Sequence, residues 1–127
     1  NDLNMFSEMR TAALLGKGIA ADATAVPAEQ ALCMATINAA RSLGLDEDLG
    51  SLQAGQAADF IAVHLNEIET SPVYHPVSQL VYATGRDKVT DVWVAGKHLL
   101  KDRVLTTLDT EEILNKAEAW RTRIARS

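Results

Sequence analysis

Apolar positions along the chain change their period near Gly44, and the change separates predicted helices from predicted strands. Over residues 3–15, Leu3, Phe6, Arg10, Ala13 and Leu14 fall at helical spacing, with Met5 and Met9 beside them. Asn1, Asp2 and Asn4 each carry a side-chain oxygen suited to the unpaired amides of a first turn. Gly16 and Gly18 then predict a stop. After a small, polar connection, Pro27 suits a first helical position, because its φ is fixed and it has no N–H to satisfy. Glu29 favours the positive end of the same helix. This second helix is expected over residues 27–43, with Gly44 as its left-handed cap. Its face of Ala28, Leu32, Ala35, Ala39 and Leu43 is mostly alanine, so it can lie close against a neighbour.

Beyond Gly44 the pattern becomes strand-like. Residues 58–65 read as a strand, and its almost continuously apolar stretch from Phe60 to Val63 predicts burial on both faces. Pro72 and Pro76 mark a loop, and residues 77–83 read as a second short strand before a turn at Gly85-Arg86-Asp87. Residues 89–94 alternate, with Val89, Asp91 and Trp93 on one side and Thr90, Val92 and Val94 on the other. Ala95-Gly96 is a tight hairpin turn into residues 98–101. Asp102-Arg103 makes a further turn before Val104-Leu105. Asp109 and Glu112 have the spacing of a helix-opening capping box. The stripe Ile113, Ala117, Trp120 and Ile124 runs along that last helix, and Arg121, Arg123 and Arg126 suit its C-terminal end. The fold class is α+β. So few strands leave unpaired edges, which calls for partner strands from sequence outside this chain.

Composition narrows the class further. The 127 residues suffice for one modest core, and 47% apolar with 23% charged residues is an ordinary globular balance. A net charge of −5 argues against nucleic acid or an anionic membrane as partner. No apolar run approaches the roughly 18 residues of a membrane span. The single cysteine, Cys33, has no partner for an internal disulfide and points to a reducing, cytoplasmic setting. The start at Asn1, directly before a helix and without Met, reads as a cut, so a fragment is expected.

Candidate chemistry is sparse. His64, His75 and His98 lack the short spacings of a zinc site, and we read them as structural or solvent-exposed. His75 keeps some interest because loops carry function more often than cores. Cys33, among Ala31, Leu32, Met34 and Ala35, reads as a small core residue. Asp59 is expected to accept local hydrogen bonds after Gly55 rather than act as a catalytic acid. Gly50, Gly55 and the Ala95-Gly96 turn read as backbone devices, not a phosphate cradle. Trp93 and Trp120 are in register with apolar patterns and read as core or interface.

Four segments, in order, carry a resemblance. They are Asn1-Asp2-Leu3-Asn4-Met5-Phe6-Ser7-Glu8-Met9-Arg10; Ala31 through Ala40, ending in Leu43-Gly44; Leu49-Gly50-Ser51-Leu52 through Gly55 to Ala57-Ala58-Asp59-Phe60; and Pro76-Val77-Ser78-Gln79-Leu80-Val81-Tyr82-Ala83 followed by Val92-Trp93-Val94-Ala95-Gly96-Lys97. Together they resemble the C-terminal part of the metal-dependent amidohydrolase superfamily. The nearest group is that of the 5′-methylthioadenosine/S-adenosylhomocysteine deaminases and triazine chlorohydrolases.

The resemblance implies terminal helices of a (β/α)₈ barrel over residues 1–48, C-terminal strands of a composite β-sandwich over 49–108, and a closing helix over 109–127. It implies zinc or another divalent metal in the intact protein, none held by this fragment, and metal-assisted hydrolysis releasing ammonia from an adenosine-like nucleoside. The family's metal ligands and catalytic carboxylates would lie upstream, leaving the fragment inactive. Asn1 and Asp2 would adjoin the substrate loop, although helix capping is the reading we prefer for them. The implied partners are a small-molecule substrate, the rest of the barrel with its N-terminal strands, and a second copy in a homo-oligomer. Two alternatives stay open. One is another hydrolase on the same scaffold, a chlorohydrolase or an aminopurine or pyrimidine deaminase. The other is a non-enzymatic α+β assembly module complete in itself.

Overall fold

A computed structural model describes residues 2–125. Its order is α1 (Met5–Ala20), α2 (Ala28–Ala35), α3 (Ile37–Ser42), β1 (Phe60–Val63), α4 (Pro76–Ser78), a π-helical turn (Gln79–Ala83), a 3₁₀ turn (Arg86–Lys88), β2 (Val89–Val94), β3 (Lys97–Lys101), β4 (Val104–Leu105) and α5 (Thr110–Ile124). The α+β class holds.

Helix α1 starts where Asn4 caps it, the Asn4 Oδ1 accepting from the Ser7 amide. It does not stop at Gly16 and Gly18 but runs on to Ala20, with Ala21 as a left-handed cap. Gly16 is there for closeness, since a Cβ on it would lie 2.5 Å from Cγ2 of Val26. The expected long second helix is broken at Thr36, whose backbone leaves the helical region (φ −124°, ψ −103°). The Thr36 hydroxyl donates to the Leu32 carbonyl at 2.8 Å, covering part of the interrupted ladder. Pro27 sits one position earlier than expected, at the cap, while Glu29 is in the first turn. Gly44 takes the left-handed conformation its position predicts (φ +69°).

Residues 77–83 are helical, not a strand. Pro76 opens α4 and Nδ1 of His75 accepts from the Ser78 amide, so the segment coils from its first residue. A short apolar run between turn signals does not distinguish strand from buried helix by period. Here the cap decides.

The core lies where α1, α2 and the π-helical turn meet. Phe6, Met9, Ala13, Ala28, Ala31 and Val81 are buried there, with Val63 and Val89 packed on from the sheet. The alanines of α2 permit the close approach expected of them, but along Ala28 and Ala31; Leu43 is exposed. The sheet is antiparallel in the order β1-β2-β3-β4. Ala95-Gly96 and Asp102-Arg103 turn between its later strands with all four φ angles positive, the twist a right-handed hairpin requires. Strand β1 is an edge, and Phe60 and Ile61 are exposed, so burial on both faces is not met within this chain. Helix α5 is capped by Asp109, whose Oδ1 accepts from the Glu111 and Glu112 amides at 3.0 Å. The other arm of the expected capping box is redirected, since Glu112 pairs with Lys116 at 2.5 Å. Its apolar stripe is uncovered, and none of its described side chains is buried.

Candidate functional site

The segment leading into α1 is held by its own turn and by a residue 84 positions further along the chain. Asp2 Oδ1 accepts from the Asn4 amide at 3.2 Å, and the Asp2 carbonyl accepts from Nη1 of Arg86 at 2.9 Å. Leu3, between them, has a left-handed backbone (φ +54°) and a fully exposed side chain. Deeper along α1, Arg10 donates from Nε to the Val81 carbonyl at 3.3 Å and from Nη2 to the Thr84 carbonyl at 2.9 Å. Those carbonyls belong to the end of the π-helical turn, which leaves helical acceptors without their ordinary partners. Arg10 supplies them. Asp2 sits in a turn that precedes the helix cap, which is Asn4, so it does not itself cap a helical amide; Asn1 lies outside the described residues, as does Arg126.

Beside this segment an apolar groove of about 640 Å³ opens between the helices and β1. Met5, Leu43, Leu45, Leu52, Phe60 and Ile61 line it and stay exposed. The groove gathers these apolar side chains on one face, where singly scattered surface apolar residues would be ordinary.

The other candidates separate. His64 is exposed at the end of β1, and His75 caps α4 with its Nε2 3.4 Å from Glu29 Oε1. His98 stacks on Trp93 with ring centroids 4.2 Å apart, and Trp93 stacks on Phe60 at 4.5 Å, forming a ladder across β1, β2 and β3. The Nε2 of His98 lies 2.8 Å from Asp91 Oδ1. The Asp91 carboxyl is held below its ordinary value by the Thr90 hydroxyl first, then by His98 and the Asp102 amide. Asp59 accepts a backbone hydrogen bond, as expected, but from the Ala95 amide 36 positions on at 2.6 Å and not from its own loop, and so ties the β2–β3 hairpin to the start of β1. Trp120 is exposed, with Arg123 over its ring at 5.2 Å.

Cys33 is exposed, which corrects its placement in the core. The buried face of α2 is the one bearing Ala28 and Ala31, and Cys33 points away from it. Sequence reasoning also missed Arg10, Arg86 and Lys88. The side chain of Lys88 is largely buried between Glu67, Glu69 and Asp87. Arg10 had a signal, a cation in an apolar helical register, which predicts carbonyls or carboxylates opposite it.

Residues 1–99 match the sequence profile of the Amidohydrolase family. This chain belongs to that family. It is 49% identical over 98% of its length to the 5-methylthioadenosine/S-adenosylhomocysteine deaminase of Teredinibacter turnerae, and it covers 28% of that protein. The Moorella thermoacetica protein of the same name is also 49% identical, over 89% of this chain and 26% of its own length. Among solved structures, a zinc-bound adenosine deaminase from Xanthomonas campestris superposes with a TM-score of 0.92 at 48% identity, over 97% of this chain and 28% of that one. The zinc complex of atrazine chlorohydrolase from Arthrobacter aurescens gives 0.81 at 28% identity, over 90% of this chain and 25% of that one. The amidohydrolase chain thus spans little more than a quarter of the relatives it matches.

Zinc in those two structures raises the question of ligands. Among the described residues, no three His, Cys, Asp or Glu side chains come together in a way that would hold a metal ion. These residues do not fit a metal centre, and no chemical step is assigned to them. No helix among the described residues is long and apolar enough to cross a membrane.

Proposed function

We propose that this amidohydrolase chain is the C-terminal part of a metal-dependent deaminase acting on an adenosine-like nucleoside of the 5′-methylthioadenosine/S-adenosylhomocysteine kind. The observation that carries the reading is 49% identity, over nearly the whole chain, to relatives bearing that name. The chlorohydrolase reading ranks second on the lower identity of 28%. In this reading residues 1–48 are the last helices of the barrel, 49–108 the C-terminal strands of a composite β-sandwich, and 109–127 the closing helix.

The exposed groove beside β1, the open β1 edge and the uncovered stripe of α5 support that partition. Each is an apolar or hydrogen-bonding surface that the remainder of the protein would cover. A complete, self-contained assembly module would have closed them. The metal, zinc or another divalent ion, would be held upstream and lower the pKa of a water there. The contribution of this chain is to frame the site, with Asn1 and Asp2 beside the substrate loop; alone it is inactive. The unpaired Cys33 suits a reducing, cytoplasmic compartment.

The experiment is to express the full-length protein with zinc and measure ammonia released from 5′-methylthioadenosine, S-adenosylhomocysteine and adenosine, with chloride release from a chlorotriazine measured alongside. Ammonia release abolished by chelation and restored by zinc supports the reading. Chloride release alone would move the protein to the second one.

A further inference from the structure

We propose that Arg86 is a positioning residue of the deaminase, holding the segment before α1 in register with the catalytic centre; this rests on the deaminase reading above. Three observations carry it. Arg86 reaches back across 84 positions of sequence to the carbonyl of Asp2 at 2.9 Å. Leu3, the next residue, holds a left-handed backbone that its fully exposed side chain does nothing to support. Such a conformation persists only where surrounding structure over-determines it, and here the supports are the Arg86 bond and the Asp2–Asn4 turn.

The third observation is that Arg86 stands on a rigid base. Its turn is tied from one side by Arg103, which donates to the carbonyls of Asp87 and Val89, and from another by Lys88 between Glu67 and Glu69. Arg10 fixes the preceding carbonyls at Val81 and Thr84 from the body of α1. The result is a closed brace. Helix α1 positions the turn, and the turn positions the residues entering α1. A displacement of about 1 Å at a reacting centre costs on the order of a hundredfold in rate, which sets the size of the effect that losing this brace would have on turnover.

The test uses the full-length zinc enzyme and the variants Arg86→Ala and Arg86→Lys. For Arg86→Ala we expect kcat to fall roughly tenfold to a hundredfold, with KM and the melting temperature little changed. The lysine variant, which keeps one donor, recovers part of the loss. Hydrogen exchange at the Asn4 and Ser7 amides, both in the braced turn, speeds up in the alanine variant. Wild-type kcat and exchange in Arg86→Ala would overturn the proposal. So would an activity loss matched by a fall in melting temperature with exchange unaltered. An intact protein that deaminates none of the three nucleosides would instead overturn the deaminase reading, and the exchange measurement would still decide the brace.

Discussion

Gly50 lies so close to Ile37 that a Cβ at position 50 would stand 2.9 Å from the Ile37 Cα, and 2.8 Å from the Cβ of Ala40. Its φ of +94° is also one that L-residues avoid. Gly55, five positions on in the same loop, has an equivalent φ of +97° but open space around it. The pair separates two costs. Gly50→Ala carries both backbone strain and a clash against main chain, and we expect it to destabilise the intact protein by about 2–4 kcal/mol. Gly55→Ala carries the strain alone, about 1–2 kcal/mol. Urea unfolding of both variants measures the difference, and equal losses would mean that the loop relaxes away from α3.

Features written in local turn chemistry were legible in the sequence. Gly44, Gly96 and the Asp109 cap act as their residue types predict, and the turns at Ala95-Gly96 and Asp102-Arg103 fall where the flanking strand pattern places them, although Ala95 and Arg103 take a positive φ that their side chains do not favour. The failures are of another kind. Residues 77–83 coil because His75 caps them, and Cys33 is exposed because a neighbouring helix chose the other face of α2. The Arg86–Asp2 bond joins residues 84 positions apart, and no local pattern encodes it. The groove was legible only in outline, as strands short of partners.

Two helical glycines invert the usual expectation. A Cβ on Gly18 would meet nothing within 4 Å, whereas one on Gly16 would press on Val26. Gly18→Ala should therefore stabilise by about 0.5–1 kcal/mol through helix propensity. Gly16→Ala should destabilise, because Val26 is β-branched and its restricted χ1 gives it little room to relieve a 2.5 Å contact. Thermal unfolding of the two variants should shift in opposite directions. A shared sign would remove the close-packing role assigned to Gly16.

Acid should loosen the loop that carries Glu67 and Glu69 before it loosens the core. The Lys88 ammonium, foremost among its partners, holds the Glu69 carboxyl down to about 2 from an ordinary 4.5. A depressed carboxylate contributes stability that is fully present above its unfolded value and is lost as pH falls through the folded one, here between about 4.5 and 2. Lys88 is shifted upward by the same contacts, Glu67 first, so its share is present below 10.5 and fades only at more alkaline pH. Carbon-detected NMR titration of Glu69 should give a midpoint well below 4.5, rising toward it in Lys88→Met. An unchanged midpoint in that variant would assign the shift to the local backbone instead.

Asp59 offers the sharpest separation of frame from chemistry. Its Oδ1 accepts from the Ala95 amide at 2.6 Å, and the neighbouring Ala58 carbonyl accepts from Gly96 at 3.1 Å, so the start of β1 clasps the hairpin turn through consecutive residues. Asp59→Ala leaves the Ala95 amide without that acceptor and should cost about 1–2 kcal/mol. Asp59→Asn keeps a carbonyl oxygen in the same place and should cost less, since charge assistance is lost but the bond is not. If Asp59 belongs to the frame, the asparagine variant of the full-length enzyme turns over at the wild-type rate. A catalytic carboxylate would behave oppositely, with Asp59→Asn nearly as stable as wild type and kcat lowered by orders of magnitude. Measuring unfolding and turnover on the same preparations distinguishes the two directly.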